Sequence, residues 1–229
     1  MHAEGFLDSC EPKMPMPDDL QKDFQTLHND FANLYVRWNM YREIFGTNER
    51  RTNLLNETAP SFFGTVQRVL LDDVLGGIAR MTDKSASQDN LTLRRLLEEL
   101  DDNTHKALKD ELLKRLSQVD SACADIRRIR HKRLAHRDYK HAVAPDENPL
   151  PGISRRTVGA AMSAIADFMN SFQFPFTETQ IGYENSIAGP GDATSLLSAL
   201  RRAVEHRKMQ IEGKVEPVGS LSSEFADPA

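Results

Sequence analysis

Apolar side chains recur along this chain at alternating spacings of three and four. Leu20, Phe24, Leu27, Phe31, Leu34, Trp38, Tyr41 and Phe45 form the clearest series, and that spacing places them on one face of a long α-helix. Gly46 follows directly, where glycine is favoured just past a helix end. The seam serves either an intramolecular bundle or a dimer, and Trp38 reads as core or interface rather than as a base-stacking platform. After a short helical piece near residues 48–56, Thr58 and Pro60 stand where an N-cap and a first turn belong. Ala59, Phe63, Val66, Leu70, Val74, Ile78 and Met81 then stripe a second long helix. Within it Gly76-Gly77 has no strand before it and no phosphate-loop pattern, so close helix packing accounts for the pair.

The polar run Ser85–Asn90 makes a connection to a brief Leu-rich helix over residues 91–100. Asn103 and Thr104 are expected to cap a helix striped by Leu112, Leu116, Val119, Cys123 and Ile126. Pro145, Pro149 and Pro151 punctuate a loop, and Ser154 opens a helix whose stripe is Val158, Met162, Ile165, Phe168 or Met169, and Phe172. Residues 173–191 read as irregular, and Asp192 caps a last helix through Leu196, Leu200 and Val204. No run alternates as a strand does, so the predicted architecture is an all-α, up-and-down bundle of long antiparallel helices. The expected organisation is a disordered tail over 1–16, a helical domain over 17–175, a loop and C-terminal helix over 176–209, and a second disordered tail over 210–229.

Composition narrows the function classes. With 229 residues, 39% hydrophobic and 28% charged, the chain is long enough for a full-sized core, and no small disulfide scaffold is implied. Cys10 and Cys123 are the only cysteines; they offer neither a disulfide framework nor a metal knuckle. No leader pattern and no apolar span of membrane length is present, so a cytoplasmic protein without a membrane partner is expected. The formal charge of −5 hides an uneven distribution: residues 127–141 hold seven Lys/Arg against one Asp, leaving 22 against 33 elsewhere. An acidic body does not favour non-specific nucleic-acid binding, and no DNA-specific motif appears, yet the cationic stretch suits local phosphate contacts.

Arg130 stands out within that stretch. With Leu112 at zero on a helical wheel, Val119 falls at about −20°, Cys123 at about +20° and Arg130 at about 0°. A guanidinium on a buried seam needs an acidic partner, a bound anion or a solvent-filled cleft. Asp73 flanks the stripe of the second long helix, so it is a candidate to orient Arg130 or to pair with Arg80, whereas Asp72 points outward. His136 lies about 120° from Arg130 on a regular helix. The two meet only if the helix bends near residues 133–135 or if they face each other across two copies. Histidine exchanges protons near neutral pH and arginine stabilises a phosphorane, which together suffice for RNA cleavage by the 2′-hydroxyl. The spacing of His131, His136 and His141 does not stack ligands on one helix face, so no metal is expected. Arg127, Arg128 and Lys140 read as a solvated basic helix end.

The stretch Arg130-His131-Lys132-Arg133-Leu134-Ala135-His136-Arg137-Asp138 resembles the signature of the HEPN superfamily. The wider chain is similar to its abortive-infection U-type (AbiU-like) branch, through Leu54–Phe63, Val69–Leu75, Arg80–Asp83 and Asn90–Leu93. The resemblance covers roughly residues 20–172. It implies a helical HEPN bundle, commonly dimeric, with arginine and histidine lining one cleft. It also implies a metal-independent endoribonuclease that leaves a 2′,3′-cyclic phosphate and acts as a toxin or antiphage defence protein, without a cofactor. Carried over, Arg130 stabilises the phosphorane and His136 acts as acid or base. His131 and Asp73 support the site, and Arg133 and Arg137 contact RNA. Implied partners are RNA, a second copy of the chain, and an antitoxin or regulatory protein. Asp138 stands where some HEPN toxins carry a modifiable tyrosine. The alternative is a non-catalytic HEPN module that binds RNA, a nucleotide or a partner protein.

Overall fold

The computed structural model describes residues 15–46, 48–84, 90–131, 152–185 and 191–216. Among them are seven α-helices: α1 (Asp18–Ile44), α2 (Glu49–Thr58), α3 (Pro60–Met81), α4 (Leu93–Glu98), α5 (Lys106–Arg130), α6 (Arg155–Thr177) and α7 (Ala193–Ile211), with a 3-10 turn at Tyr183–Asn185. The described residues contain no strand, and the architecture is the expected all-α bundle. Most of the two expected tails, Cys10, most of the Ser85–Asn90 connection and the loop of Pro145, Pro149 and Pro151 lie outside the described residues.

Two compact units divide the chain. Among the described residues, one is formed by 15–38 together with 70–84, 90–131 and 152–185, the other by 39–46 and 48–69 together with 191–216. In the first, the seam of α1 is buried as its spacing predicts, with Leu20, Phe24, Leu27, Phe31, Leu34 and Trp38 all excluded from water. Helix α5 packs extensively on α6 through its predicted stripe, Leu112 to Ile126, and through Val158, Met162, Ile165, Phe168, Met169 and Phe172. Phe24 stacks on Phe172 with ring centres 5.2 Å apart. Beyond α6, Tyr183 inserts fully into this core, 4.7 Å from the Phe31 ring, and its hydroxyl meets His28 Nδ1 at 2.8 Å. Burial holds the Tyr183 phenol well above its ordinary range and partial burial holds His28 below its own, so this pair is neutral near pH 7. In the second unit α2 packs on α7, and Leu55 and Phe63 are buried.

The glycine pair in α3 does what its setting predicts. A Cβ on Gly77 would stand 2.6 Å from Leu34 Cδ1, so its lack of a side chain lets α1 and α3 approach within the first unit. Gly46 follows α1, and a Cβ there would fall 2.5 Å from the Arg42 carbonyl oxygen. Ser154 and Asp192 cap as expected, accepting the backbone N–H groups of Thr157 at 3.0 Å and Ser195 at 2.8 Å.

Several local expectations are corrected. Thr58 is not an N-cap but the last residue of α2, and its hydroxyl donates back to the Leu54 carbonyl at 2.9 Å. Asn103 and Thr104 are not caps of α5, which starts after His105. Instead Asp101 accepts their N–H groups, at 3.2 Å and 2.7 Å, which holds the Asp101 carboxyl below its ordinary range. Residues 173–177 are helical despite Pro175. One missing N–H near a helix end is a limited loss, and Phe172, Gln173 and Phe176 are buried around it. Asp72 does not face water freely: the residue is half-buried and its Oδ1 is shut off from solvent.

Candidate functional site

Arg130 is the last residue of α5 and is half-buried. Its side chain lines a cleft of about 410 Å³ within the first unit, so a cleft is what meets the guanidinium that the seam carries to the helix end. Helix α1 supplies Asp30 and Arg37 to that cleft, α3 supplies Gly77, Arg80 and Met81, and the segments beyond α3 supply Asp83 and Asn90. Leu27, Leu34 and Leu91 make apolar wall. Three guanidinium groups therefore share one concavity with two carboxylates. Among the described residues neither Arg80 nor Arg130 has an ion-pair or hydrogen-bond partner.

Arg37 is anchored. Its Nε lies 2.5 Å from Asp73 Oδ2, with side chains 36% and 40% exposed, and both of the paired atoms are shut off from water. This settles the pairing of Asp73, which joins neither Arg130 nor Arg80. The wheel that offered those two partners considered α3 and α5 alone, whereas the partner comes from α1. The sequence does hold the missed signal: with Leu34 at zero, Asp30 falls at about −40° and Arg37 at about −60°. Both therefore flank the same side of the α1 seam.

The neighbouring basic residues divide by what they touch. Arg127 is not merely solvated. It donates through Nη1 to the carbonyl and hydroxyl oxygens of Thr82, both at 3.2 Å, and through Nη2 to the Asp120 carbonyl at 2.8 Å. The Asp120 carboxylate also gathers Arg94, with Lys84 at 3.3 Å and Arg127 at 3.5 Å. This cluster ties α5 to the end of α3 and to α4 and is structural. Arg128 is exposed and pairs with Asp125 at 2.9 Å, as a solvated helix end does. His131 is exposed at the C-cap of α5. Arg133, His136, Arg137 and Lys140 lie outside the described residues.

Other reactive groups point away from chemistry. Cys123 is fully buried, and burial pushes its thiol up to about 11, so it is a poor nucleophile and ligand near neutrality. Among the described residues no three His, Cys, Asp or Glu side chains are grouped to hold a metal ion. No helix among them is long and apolar enough to cross a membrane.

Comparison with known proteins agrees with the helical architecture. Residues 18–180, well over half of the chain, match the model of the HEPN family described as AbiU2. No match was found among curated proteins or among solved structures. The matched span takes in α1 through α6 and every residue of the cleft. The chain belongs to the AbiU2 family of HEPN-domain proteins.

Proposed function

We propose that the chain is a metal-independent endoribonuclease of HEPN type, acting as a toxin or antiphage defence protein in the cytoplasm. The observation that carries this reading is Arg130 at the end of α5, lining a polar cleft with no carboxylate partner among the described residues. A charge left in that state is poised for a ligand anion, and the planar fork of arginine fits a phosphate. In the proposed reaction a base takes the proton of the RNA 2′-hydroxyl and its oxygen attacks phosphorus. The bond to the 5′-oxygen breaks, an acid returns a proton to that oxygen, and a 2′,3′-cyclic phosphate and a 5′-hydroxyl result. Arg130 stabilises the charge on the phosphorane, and His136 acts as acid or base. In a homodimer two copies of His136 would fill both roles. His131 and Asp73 support the site, Asp73 by fixing Arg37 at the cleft, and Arg133 and Arg137 contact the RNA backbone.

Inducible expression in a bacterial host tests the reading. Wild type is expected to arrest growth and degrade RNA, and His136→Ala to do neither. Equal RNA loss from both, or from neither, contradicts the catalytic assignment. The carboxylates of Asp30 and Asp83 in the same cleft favour a second reading, a non-catalytic HEPN module that binds RNA, a nucleotide or a partner protein such as an antitoxin. RNA binding by purified protein that survives His136→Ala while no cleavage occurs would select it.

A further inference from the structure

The cleft carries opposite charges that do not neutralise one another. Asp30, Arg80 and Arg130 all line it, yet among the described residues none of the three forms an ion pair or hydrogen bond with another. Arg37, by contrast, is held by Asp73. A site built only for phosphate has no use for a carboxylate at its wall, since like charge there repels the ligand. A ligand with an anionic end and a hydrogen-donating edge satisfies both kinds of group. Leu27, Leu34 and Met81 behind the cleft are buried in the core, so the charged groups dominate its surface, and a nucleotide carries both an anionic end and a hydrogen-donating edge.

We infer that the cleft binds one nucleotide of single-stranded RNA, with its phosphate between Arg80 and Arg130 and the amino-bearing edge of its base donating to Asp30. This rests on the reading of the cleft as an RNA site. An ionised carboxylate only accepts hydrogen bonds. Adenine, cytosine and guanine offer an exocyclic amino group to it, whereas uracil presents carbonyl oxygens on either side of its single N–H. Unpaired bases are read in this way, at their edges, when RNA is single-stranded. The inference therefore adds Arg80 as a phosphate contact and Asp30 as the residue that sets base preference.

Binding to 2′-O-methyl trinucleotides tests it without cleavage, because the blocked 2′-oxygen cannot attack. Full-length protein is expected to bind the A and C trimers about tenfold more tightly than the U trimer, one acceptor contact's worth of discrimination. Asp30→Asn should reduce that preference to less than about threefold. Arg80→Met should weaken all three trimers together and lower the magnitude of the salt slope by about 0.7. Equal binding of A, C and U trimers by wild type, a preference unchanged in Asp30→Asn, or 5′-AMP alone binding as tightly as the A trimer would overturn the inference. Thermal midpoints of both variants within about 2 °C of wild type confirm that binding changes are not unfolding. A base preference in protein that fails to cut unmodified RNA would sink the ribonuclease reading alone. Cleavage without base preference would sink this inference alone.

Discussion

Replacing Arg130 and Arg127 separately by methionine distinguishes a functional arginine from a structural one. The two are three residues apart on α5, and both are half-buried. Arg127 spans to Thr82 with two contacts at 3.2 Å and to the Asp120 carbonyl at 2.8 Å. Hydrogen bonds from a charged donor contribute about 1.5–3 kcal/mol each, but Nη1 is shared between the two Thr82 oxygens. Asp120 also retains Arg94 and Lys84, so its charge is not stranded when Arg127 is lost. Together these set the loss for Arg127→Met at roughly 2–4 kcal/mol, on the order of 5–10 °C in thermal midpoint for a chain of this size. Arg130 has no such partner among the described residues. Arg130→Met keeps the stem and removes only an unpaired charge, so the change should stay within about 0.5 kcal/mol. An arginine in an internal salt bridge would instead lose about 3–5 kcal/mol on losing its pair. Urea denaturation of the two variants beside wild type reads the difference directly. Destabilisation of Arg130→Met by more than about 2 kcal/mol would refute the assignment of Arg130 to an open cleft.

Three further outcomes follow from the same structure. Gly76→Ala meets only Arg80 Nη1 at 3.5 Å and should stabilise by up to about 1 kcal/mol, whereas Gly77→Ala drives a methyl to 2.6 Å from Leu34 Cδ1 and should destabilise by about 1–2 kcal/mol net; equal midpoints for the two would contradict the close approach of α1 and α3. The folded state holds the His28 pKa below the unfolded value of 6.5, so below about pH 6.5 the unfolded chain binds a proton that the folded ring resists, and stability falls with pH through that window. Midpoints measured from pH 7.5 to 5 should therefore drop less in His28→Gln than in wild type, and parallel curves would show that His28 does not carry the linkage. In a Cys10→Ser background the native protein should resist an aromatic disulfide reagent and the denatured chain should yield one thiol, because Cys123 is buried with its thiol raised to about 11; rapid native labelling would contradict that burial.

The helices were legible because the evidence for each is local and redundant. The seam carries seven apolar residues at helical spacing in α1 and an eighth, Phe45, just past its end, all of them buried, and Ser154 and Asp192 announce the starts of α6 and α7 by side chains that do cap them. Boundaries were less legible where two adjacent signals compete. Thr58 and Pro60 both suit a helix start, but Thr58 bonds backward to Leu54 and Pro60 alone opens α3. Pro175 reads as a breaker, yet one lost N–H does not outweigh the burial of Phe172 and Phe176 around it. At the site, the wheel carried Arg130 along the seam to its cleft. It could not supply the rest, because Asp30, Arg37, Arg80 and Arg130 are brought together by the packing of three helices from distant parts of the chain. The pairing of Asp73 with Arg37 is such a tertiary fact.

Incubation of purified protein with an end-labelled RNA in excess chelator, with the product ends identified, tests the central claim most directly. The account predicts fragments ending in a 2′,3′-cyclic phosphate. It also predicts a rate loss on the order of 10²–10³-fold in Arg130→Met, whose fold is intact, and of comparable or greater size in His136→Ala. Cleavage by Arg130→Met at the wild-type rate, or no cleavage by wild type of any RNA that it binds, would contradict it.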